Sequence, residues 1–267
     1  SCTVLIGMAI GQLLFGFLGD VIGKKTMFII TLMILIIFSI LQAFAFELIA
    51  GQGPYIVLAV IRLILGLGIG GEYPLSSSIA AEDAQPSNRG RKMVFIFSMQ
   101  GIGNMLAPTM VIILLWCFQD LDIVWRLALA LGSVPCILTL YFRVRMDLPK
   151  PKSTVKTTKQ TIKRLVRQYW FYLIGTAGCW FFFDIAFYGN SMFNSTVLQI
   201  IGIGADENAT DHQAMMSTAV GNLVLTLMAF PGFIVSFFIV DRVGRKPLQL
   251  LGFVGTTICF IVMAVFQ

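Results

Sequence analysis

The sequence predicts an all-α protein that crosses a membrane several times. Hydrophobic residues make up 57% of the chain and charged residues 12%, whereas roughly a quarter of the residues are charged in a soluble domain. Apolar runs of about 20 residues recur along the whole chain, and each is long enough to cross a bilayer core as one helix. A lipid bilayer is therefore the expected surrounding.

Apolar length and charged breaks predict about eight membrane-spanning helices. The predicted spans are 1–19, 27–47, 55–79, 93–117, 124–142, 169–193, 214–240 and 248–266. The first apolar run already includes Ser1, and the last extends to Gln267. The sequence is therefore expected to be a fragment of a longer protein.

Basic residues collect in alternate loops. Nearly all of the 19 Lys and Arg residues follow the first, third, fifth and seventh spans, and Arg143 and Arg145 introduce the longest polar segment. By the positive-inside rule these loops are cytosolic. Membrane topology thus explains the net charge of +6, and no nucleic-acid partner is expected.

Cysteine and histidine usage gives no sign of a metal site or a cofactor. The five cysteines lie in apolar runs without a C-x-x-C pair, and His212 is the only histidine. Buried thiols of this kind act as small hydrophobic side chains. No nucleophile–base pair or nucleotide-binding glycine loop is evident, so an enzyme is not expected.

A short motif occurs twice, as DVIGKK at 20–25 after the first span and as DRVGRK at 241–246 after the seventh. Both copies fall on the same predicted side of the membrane, six spans apart, as in transporters built from parallel six-helix repeats. A carboxylate beside basic residues at a helix end suits ion pairs that form in one conformation and break in another. The predicted gating residues are Asp20, Gly23, Lys24, Asp241, Gly244 and Arg245.

These two copies resemble the G-x-x-x-D-x-x-G-[RK]-x-[RK] loop signature of the major facilitator superfamily. The resemblance implies a major facilitator fold of two six-helix bundles, incomplete in this chain, with the eight spans corresponding to helices 2 to 9. It divides the chain into an N-terminal bundle at 1–143, a cytosolic linker at 144–168 and a partial C-terminal bundle at 169–267.

The third span carries polar residues at membrane depth, within the stretch GIGGEYPLSSS at 68–78. An ionisable residue inside a spanning helix costs at least about 2.5 kcal/mol on insertion scales, which makes Glu72 a functional candidate. Pro74 should kink or loosen the helix there, while the glycines allow close helix contact. Arg62 could take part in proton coupling or could reach the outer surface along its aliphatic stem.

Two further spans carry polar stripes. Gln100 and Asn104 lie four residues apart in the fourth span and share one helix face, where they could serve transport or join helices by hydrogen bonds. In the sixth span, Trp180, Asp184 and Tyr188 follow one another at four-residue spacing. An aspartate flanked by an indole N–H and a phenol in a phenylalanine-rich helix favours a functional role.

The motifs GGEYPLS, SMQGIGN and WFFFDIAFYG resemble those of the phosphate:H⁺ symporters, the inorganic phosphate transporters of fungi, plants and protists. Glu72 departs from the aspartate usual in that family. The resemblance implies a phosphate pocket formed by Glu72, Tyr73, Gln100, Trp180, Asp184 and Tyr188.

The predicted function is secondary active phosphate uptake with protons by alternating access, in the plasma membrane of a eukaryotic cell. The expected partners are inorganic phosphate, protons and the lipid bilayer. Asp184 is expected to bind a proton before or with phosphate, with Glu72 and Arg62 assisting. A transporter of glycerophosphodiesters or other organic anions, and a non-transporting phosphate sensor or inactive truncated paralogue, remain alternatives.

Overall fold

The structure is a computed structural model that describes residues 2–46, 54–85, 87–146, 159–200, 202 and 209–265. The regular elements in this part of the chain are all α-helices, with no strand. Seven of the described segments are helical, long and apolar enough to cross a membrane, which confirms the predicted fold class. The helices are α1 (Cys2–Val21), α2 (Lys24–Ala43), α3 (Tyr55–Asp83), α4 (Arg89–Cys117), α5 (Leu121–Leu131), α6 (Ser133–Arg145), α7 (Lys159–Met192), α8 (Asn194–Ile200), α9 (Asp211–Val243) and α10 (Arg245–Val265).

The helices differ from the predicted spans mainly at their ends. The fifth predicted span is divided into α5 and α6 at Gly132, three residues before Pro135, which has no N–H to donate to the preceding turn. The eighth predicted span falls within α10 as far as residue 265. Helix α7 already begins at Lys159, inside the predicted linker 144–168, of which 147–158 lie outside the described residues.

Helix α3 continues without interruption through Pro74, where the sequence predicts a kink or a loosened turn. The serines that follow the proline stay close to the backbone of α3. Ser76 Oγ donates to the carbonyl of Glu72 at 2.5 Å, and Ser78 Oγ donates to that of Leu75 at 3.1 Å. These hydroxyl groups satisfy carbonyl oxygens near the proline inside the membrane, where an unpaired backbone group is costly.

Glycines bring α1 and α3 into backbone contact. Gly7 and Gly11 of α1 are four residues apart, as are Gly66 and Gly70 of α3, and the two pairs face each other. A Cβ on Gly7 would meet the carbonyl oxygen of Leu63, and a Cβ on any of the other three would likewise meet a backbone carbonyl oxygen of the opposite helix. The predicted packing role of the α3 glycines is therefore confirmed, and close van der Waals packing holds this helix pair together.

Helix α2 packs on another side of α3. Phe15, Met27, Phe28 and Leu75 form a buried cluster that joins α1, α2 and α3. This cluster lies toward the end of the helices that carries the first repeated motif, so it fixes that motif relative to α3.

The two copies of the repeated motif share a backbone conformation. Gly23 separates α1 from α2 with φ of 118°, and Gly244 separates α9 from α10 with φ of 93°. Side chains other than glycine rarely adopt this region. Positive φ at the matching glycine of both copies supports a structural repeat.

Helices α4 and α9 pack along their lengths and connect the first six helices with the rest of the chain. At one end His212 Nε2 lies 3.1 Å from the carbonyl oxygen of Leu115. Near the middle, Gly101 leaves room for the ring of Phe233. At the other end a Cβ on Gly90 would meet the carboxylate of Asp241. Helix α4 is therefore the main contact between the two halves.

Candidate transport site and gate

The polar stripe of α7 meets α3 at Tyr73. The hydroxyl groups of Tyr73 and Tyr188 lie close enough to interact, and both lie near the carboxyl group of Asp184. The indole of Trp180 lies beside the same carboxyl group, one turn earlier on α7. The fold thus brings together four of the six residues that the resemblance assigned to the phosphate pocket. This group is called the α3–α7 site below.

Helix α4 borders the α3–α7 site through an aromatic contact. The rings of Phe97 and Trp180 have centroids 6.2 Å apart and are tilted by 55°. Gln100 lies three residues after Phe97 and Asn104 four residues after Gln100, so all three share one side of α4. Gln100 and Asn104 are exposed, and neither amide group takes part in a side-chain hydrogen bond among the described residues. Gln100 is therefore available to a ligand on the side of α4 that faces α7.

Glu72 lies outside the α3–α7 site. Arg143 of α6 donates two hydrogen bonds to its carboxylate, Nη1 to Oε1 at 2.7 Å and Nη2 to Oε2 at 2.6 Å. Thr31 of α2 donates to Oε1 at 2.6 Å. Since successive residues of a helix point about 100° apart, Glu72 faces α2 and α6 while its neighbour Tyr73 faces α7. The predicted contacts of Glu72 with phosphate and with Asp184 stay predictions.

Arg143 is itself held from several sides. Its guanidinium group donates to the carbonyl of Phe28 at 2.9 Å and lies over the Phe28 ring, 3.6 Å from the centroid. The side chains of Arg143 and Glu72 are only 15% and 19% exposed. A bidentate pair of this kind, with added hydrogen bonds and a cation–π contact, is strong and directional. We call Glu72, Arg143, Thr31 and Phe28 the carboxylate clamp.

The sequence argument assigned Arg143 to the cytosolic charge because it precedes a basic segment. The structure instead directs its guanidinium group into the helix bundle. The signal that could have identified it is Thr31, an isolated polar residue within the apolar run of α2, which is fully buried. A buried hydroxyl group requires a partner, and here that partner is the paired carboxylate.

Arg62 contacts another polar residue inside the membrane. Its Nε donates to Oε1 of Gln42, at 3.2 Å, on α2, and Gln42 is almost completely buried. Arg62 is half-buried and donates the hydrogen bond that the oxygen of this buried amide accepts. Its role in proton coupling stays a prediction, as does the alternative of a purely structural role.

The predicted gating residues lie at the end of the helices that carries the repeated motifs. Lys24 forms an ion pair with Glu82 of α3, and Asp241 lies 3.8 Å from Nε of Arg91 on α4. The second of these contacts connects the two halves of the molecule. Asp20 is exposed and pairs with no basic side chain in the described part of the chain.

The start of α4 contributes a further ion pair that the sequence argument did not include. Lys92 donates to Oδ2 of Asp83 at 2.8 Å, while its neighbour Arg91 approaches Asp241. Two consecutive basic residues therefore reach in different directions, one toward α3 and one toward α9. This region, with Asp83, Arg91, Lys92 and Asp241, is called the basic end below.

The helices, the repeated motif and the α3–α7 site together define a multi-pass membrane protein with the architecture of a secondary transporter. The sequence profile of the Major Facilitator Superfamily matches residues 2–267. The chain belongs to this superfamily.

Several curated relatives of this chain are named as phosphate permeases or phosphate transporters. The chain is 33% identical to the repressible high-affinity phosphate permease of Neurospora crassa over 96% of this chain and 56% of the relative. It is 31% identical to the inorganic phosphate transporter PHO84 of Saccharomyces cerevisiae over 97% and 55%, and 29% identical to the inorganic phosphate transporter 1-1 of Arabidopsis thaliana over 98% and 60%. The chain thus spans somewhat more than half the length of these relatives.

Solved structures share the fold. A D-xylose-proton symporter has a TM-score of 0.67 at 21% identity, covering 96% of this chain and 61% of that one. The xylose transporter XylE from E. coli, in a partially occluded inward-open conformation, has a TM-score of 0.60 at 19% identity, covering 94% and 63%. At these identities the likeness establishes the major facilitator fold alone.

Proposed function

We propose that this protein transports inorganic phosphate together with protons by alternating access, in the plasma membrane of a eukaryotic cell. The observation that carries the proposal is the α3–α7 site, in which Tyr73, Asp184 and Tyr188 meet at membrane depth between the two halves of the chain. The phosphate permeases and transporters among the relatives support the substrate.

Charge explains why a proton accompanies phosphate. Two like unit charges about 4 Å apart repel by about 4 kcal/mol at an effective dielectric constant of about 20. An ionised Asp184 would therefore oppose phosphate, whereas protonated Asp184 can donate a hydrogen bond to it. Each ligand then favours binding of the other, which is coupling in the thermodynamic sense. Tyr73, Gln100, Trp180 and Tyr188 supply uncharged donors around the anion.

The test is labelled phosphate uptake by the full-length protein at acidic and alkaline external pH. Asp184→Asn keeps the shape of the side chain but cannot exchange a proton, so we expect loss of the pH-dependent component of uptake. Exchange of labelled for unlabelled phosphate across the membrane should persist, because exchange requires no deprotonation. Asp211→Asn, at the exposed first turn of α9, is the matched control and should leave both measurements unchanged.

Three results would contradict the proposal, and each points to a different alternative. Unchanged pH-driven uptake by Asp184→Asn would refute the assignment of the coupling residue. Suppression of uptake by glycerophosphodiesters at the concentrations at which phosphate suppresses it would indicate an organic-anion transporter. Phosphate binding without any flux in the unmodified protein would indicate a sensor.

A further inference from the structure

The basic end contains a cavity that lies apart from the α3–α7 site. Its volume is about 470 Å³, and its lining combines the polar residues Asp83, Asn88, Arg91 and Lys92 with apolar residues that include Phe95 and Phe237. A cavity of this size has room for the phosphate group and the glycerol backbone of a phospholipid. The cavity lies near the C-terminal ends of α3 and α9 and the N-terminal end of α4.

An apolar groove continues from this cavity between α4 and α9. It has a volume of about 220 Å³ and shares Phe95 and Phe237 with the cavity, then runs past Met99, Ile102 and Phe233. Phe95, Met99 and Ile102 are exposed and follow one another at the spacing of a single helix face. The cavity and the groove together, called the α4–α9 groove below, have a charged end and an apolar length.

The α4–α9 groove faces away from the proposed transport site. Gln100 lies about 140° around α4 from Phe95 and about 160° from Ile102. A molecule in the groove therefore contacts the opposite side of α4 from Gln100. The groove is open to the surrounding membrane, and its occupant need not be the transported substrate.

Charges at the opening favour an anion. Lys92 is balanced by Asp83 at 2.8 Å, but Arg91 has only the distant carboxylate of Asp241, at 3.8 Å. Among the described residues the Arg91 guanidinium group donates no hydrogen bond, and its side chain is 47% exposed. Arg89 adds a further positive charge two residues earlier on α4. A phosphodiester at the opening would therefore gain the donors that Arg91 does not otherwise use.

Asn88 provides a second polar contact. Its Oδ1 is buried and accepts no hydrogen bond in the described part of the chain, although a buried acceptor normally has a partner. A headgroup with a hydroxyl or amino group beside its phosphate could donate to this oxygen. Free phosphate would leave the apolar groove empty, whereas a lipid fills both parts.

We infer that the α4–α9 groove binds an anionic glycerophospholipid of the membrane leaflet at the basic end. Its phosphate lies at Arg91, its polar headgroup reaches Asn88, and one acyl chain lies along Phe95, Met99 and Ile102. The basic residues identify this leaflet as cytosolic by the positive-inside rule, and that leaflet is the one rich in anionic lipids. The inference does not depend on the proposed substrate.

The experiment uses the full-length protein in phosphatidylcholine nanodiscs that contain phosphatidylserine with a photoactivatable acyl chain. Mass spectrometry after illumination should find labelled peptides from 91–102 and 230–237. Unlabelled phosphatidylserine should compete, while added phosphatidylcholine and inorganic phosphate should not. Arg91→Gln should lower the preference for phosphatidylserine over phosphatidylcholine about fivefold, the usual effect of one basic residue near the membrane surface, and Arg91→Lys should retain most of it.

Filling the groove provides an independent variant. Met99→Trp should reduce labelling in the groove, whereas Met110→Trp, on the same face of α4 but beyond the groove, should not. Thermal stability of each variant shows that it is folded. Equal labelling by photoactivatable phosphatidylcholine would mean non-specific membrane contact only, and competition by inorganic phosphate would mean a site for free anions; either result overturns the inference.

Discussion

Breaking the carboxylate clamp should destabilise the protein more than breaking any exposed ion pair. In the clamp, Arg143 and Glu72 share two short hydrogen bonds and are 15% and 19% exposed. Replacing Arg143 by Met leaves the buried carboxylate of Glu72 without a counter-charge. Replacing Glu72 by Gln leaves the buried guanidinium group of Arg143 without one. The two single variants therefore test the same ion pair, each by removing a different partner.

The expected magnitude follows from burial. Removing one partner of a buried pair costs about 3–5 kcal/mol, and because both side chains keep some exposure we expect about 3 kcal/mol for each single variant. The double variant leaves no unpaired charge, so it should cost less than the sum by at least about 1 kcal/mol. Thr31→Val removes the hydroxyl group that donates to Glu72 and to the carbonyl of Phe28, and should cost about 1 kcal/mol.

The assay is the free energy of unfolding in mixed micelles titrated with sodium dodecyl sulfate, for the unmodified protein, the two single variants and the double variant. The matched control is the same cycle at Lys92 and Asp83, whose nitrogen–oxygen distance is 2.8 Å but whose side chains are 40% and 82% exposed. Exposed pairs are weakened by solvent, so the control should show the smaller coupling. Additive effects at Glu72 and Arg143, or equal coupling in the two cycles, would refute the reasoning.

Further variants test the helix contacts and the basic end. Gly7→Val should cost about 1–3 kcal/mol of unfolding free energy, because its side chain would meet the backbone of α3. Gly103→Ala, which has open space around it inside α4, should cost nothing and should stabilise the protein by up to about 1 kcal/mol. Gly244→Ala, at φ of 93°, should cost about 1–3 kcal/mol in the same assay. Asp241→Arg should slow phosphate uptake, and the double reversal with Arg91→Asp should restore it; no recovery would mean that their contact does not contribute to gating.

The sequence predicted what depends on local pattern. Hydropathy over about 20 residues located the spanning helices because the bilayer imposes that length. The repeated motif located Gly23 and Gly244, because its aspartate, glycine and basic residues keep fixed positions relative to the helix ends. The polar stripe of α7 and its meeting with Tyr73 were also expected, on the strength of the family resemblance.

The sequence could not predict which distant residue completes each polar group. Glu72 and Tyr73 are neighbours, yet the helix turns them toward different partners, and Arg143 lies on a helix that follows much later in the chain. Composition near a span end made Arg143 indistinguishable from the basic residues of the adjacent loop. Its inward direction depends on the ring of Phe28 and on Thr31, which only packing brings into position.

The carboxylate clamp also bears on the electrostatics of phosphate transport. A phosphate anion near two ionised carboxylates would meet repulsion from both, but the positive charge of Arg143 balances that of Glu72 at hydrogen-bond distance. At longer range such a pair acts as a dipole, whose field falls off faster than that of a single charge. Asp184 has no such counter-charge among the described residues, since Trp180 and the two tyrosines beside it are uncharged. Under the proposed symport of phosphate and protons, the geometry therefore favours Asp184 over Glu72 as the group that binds the proton.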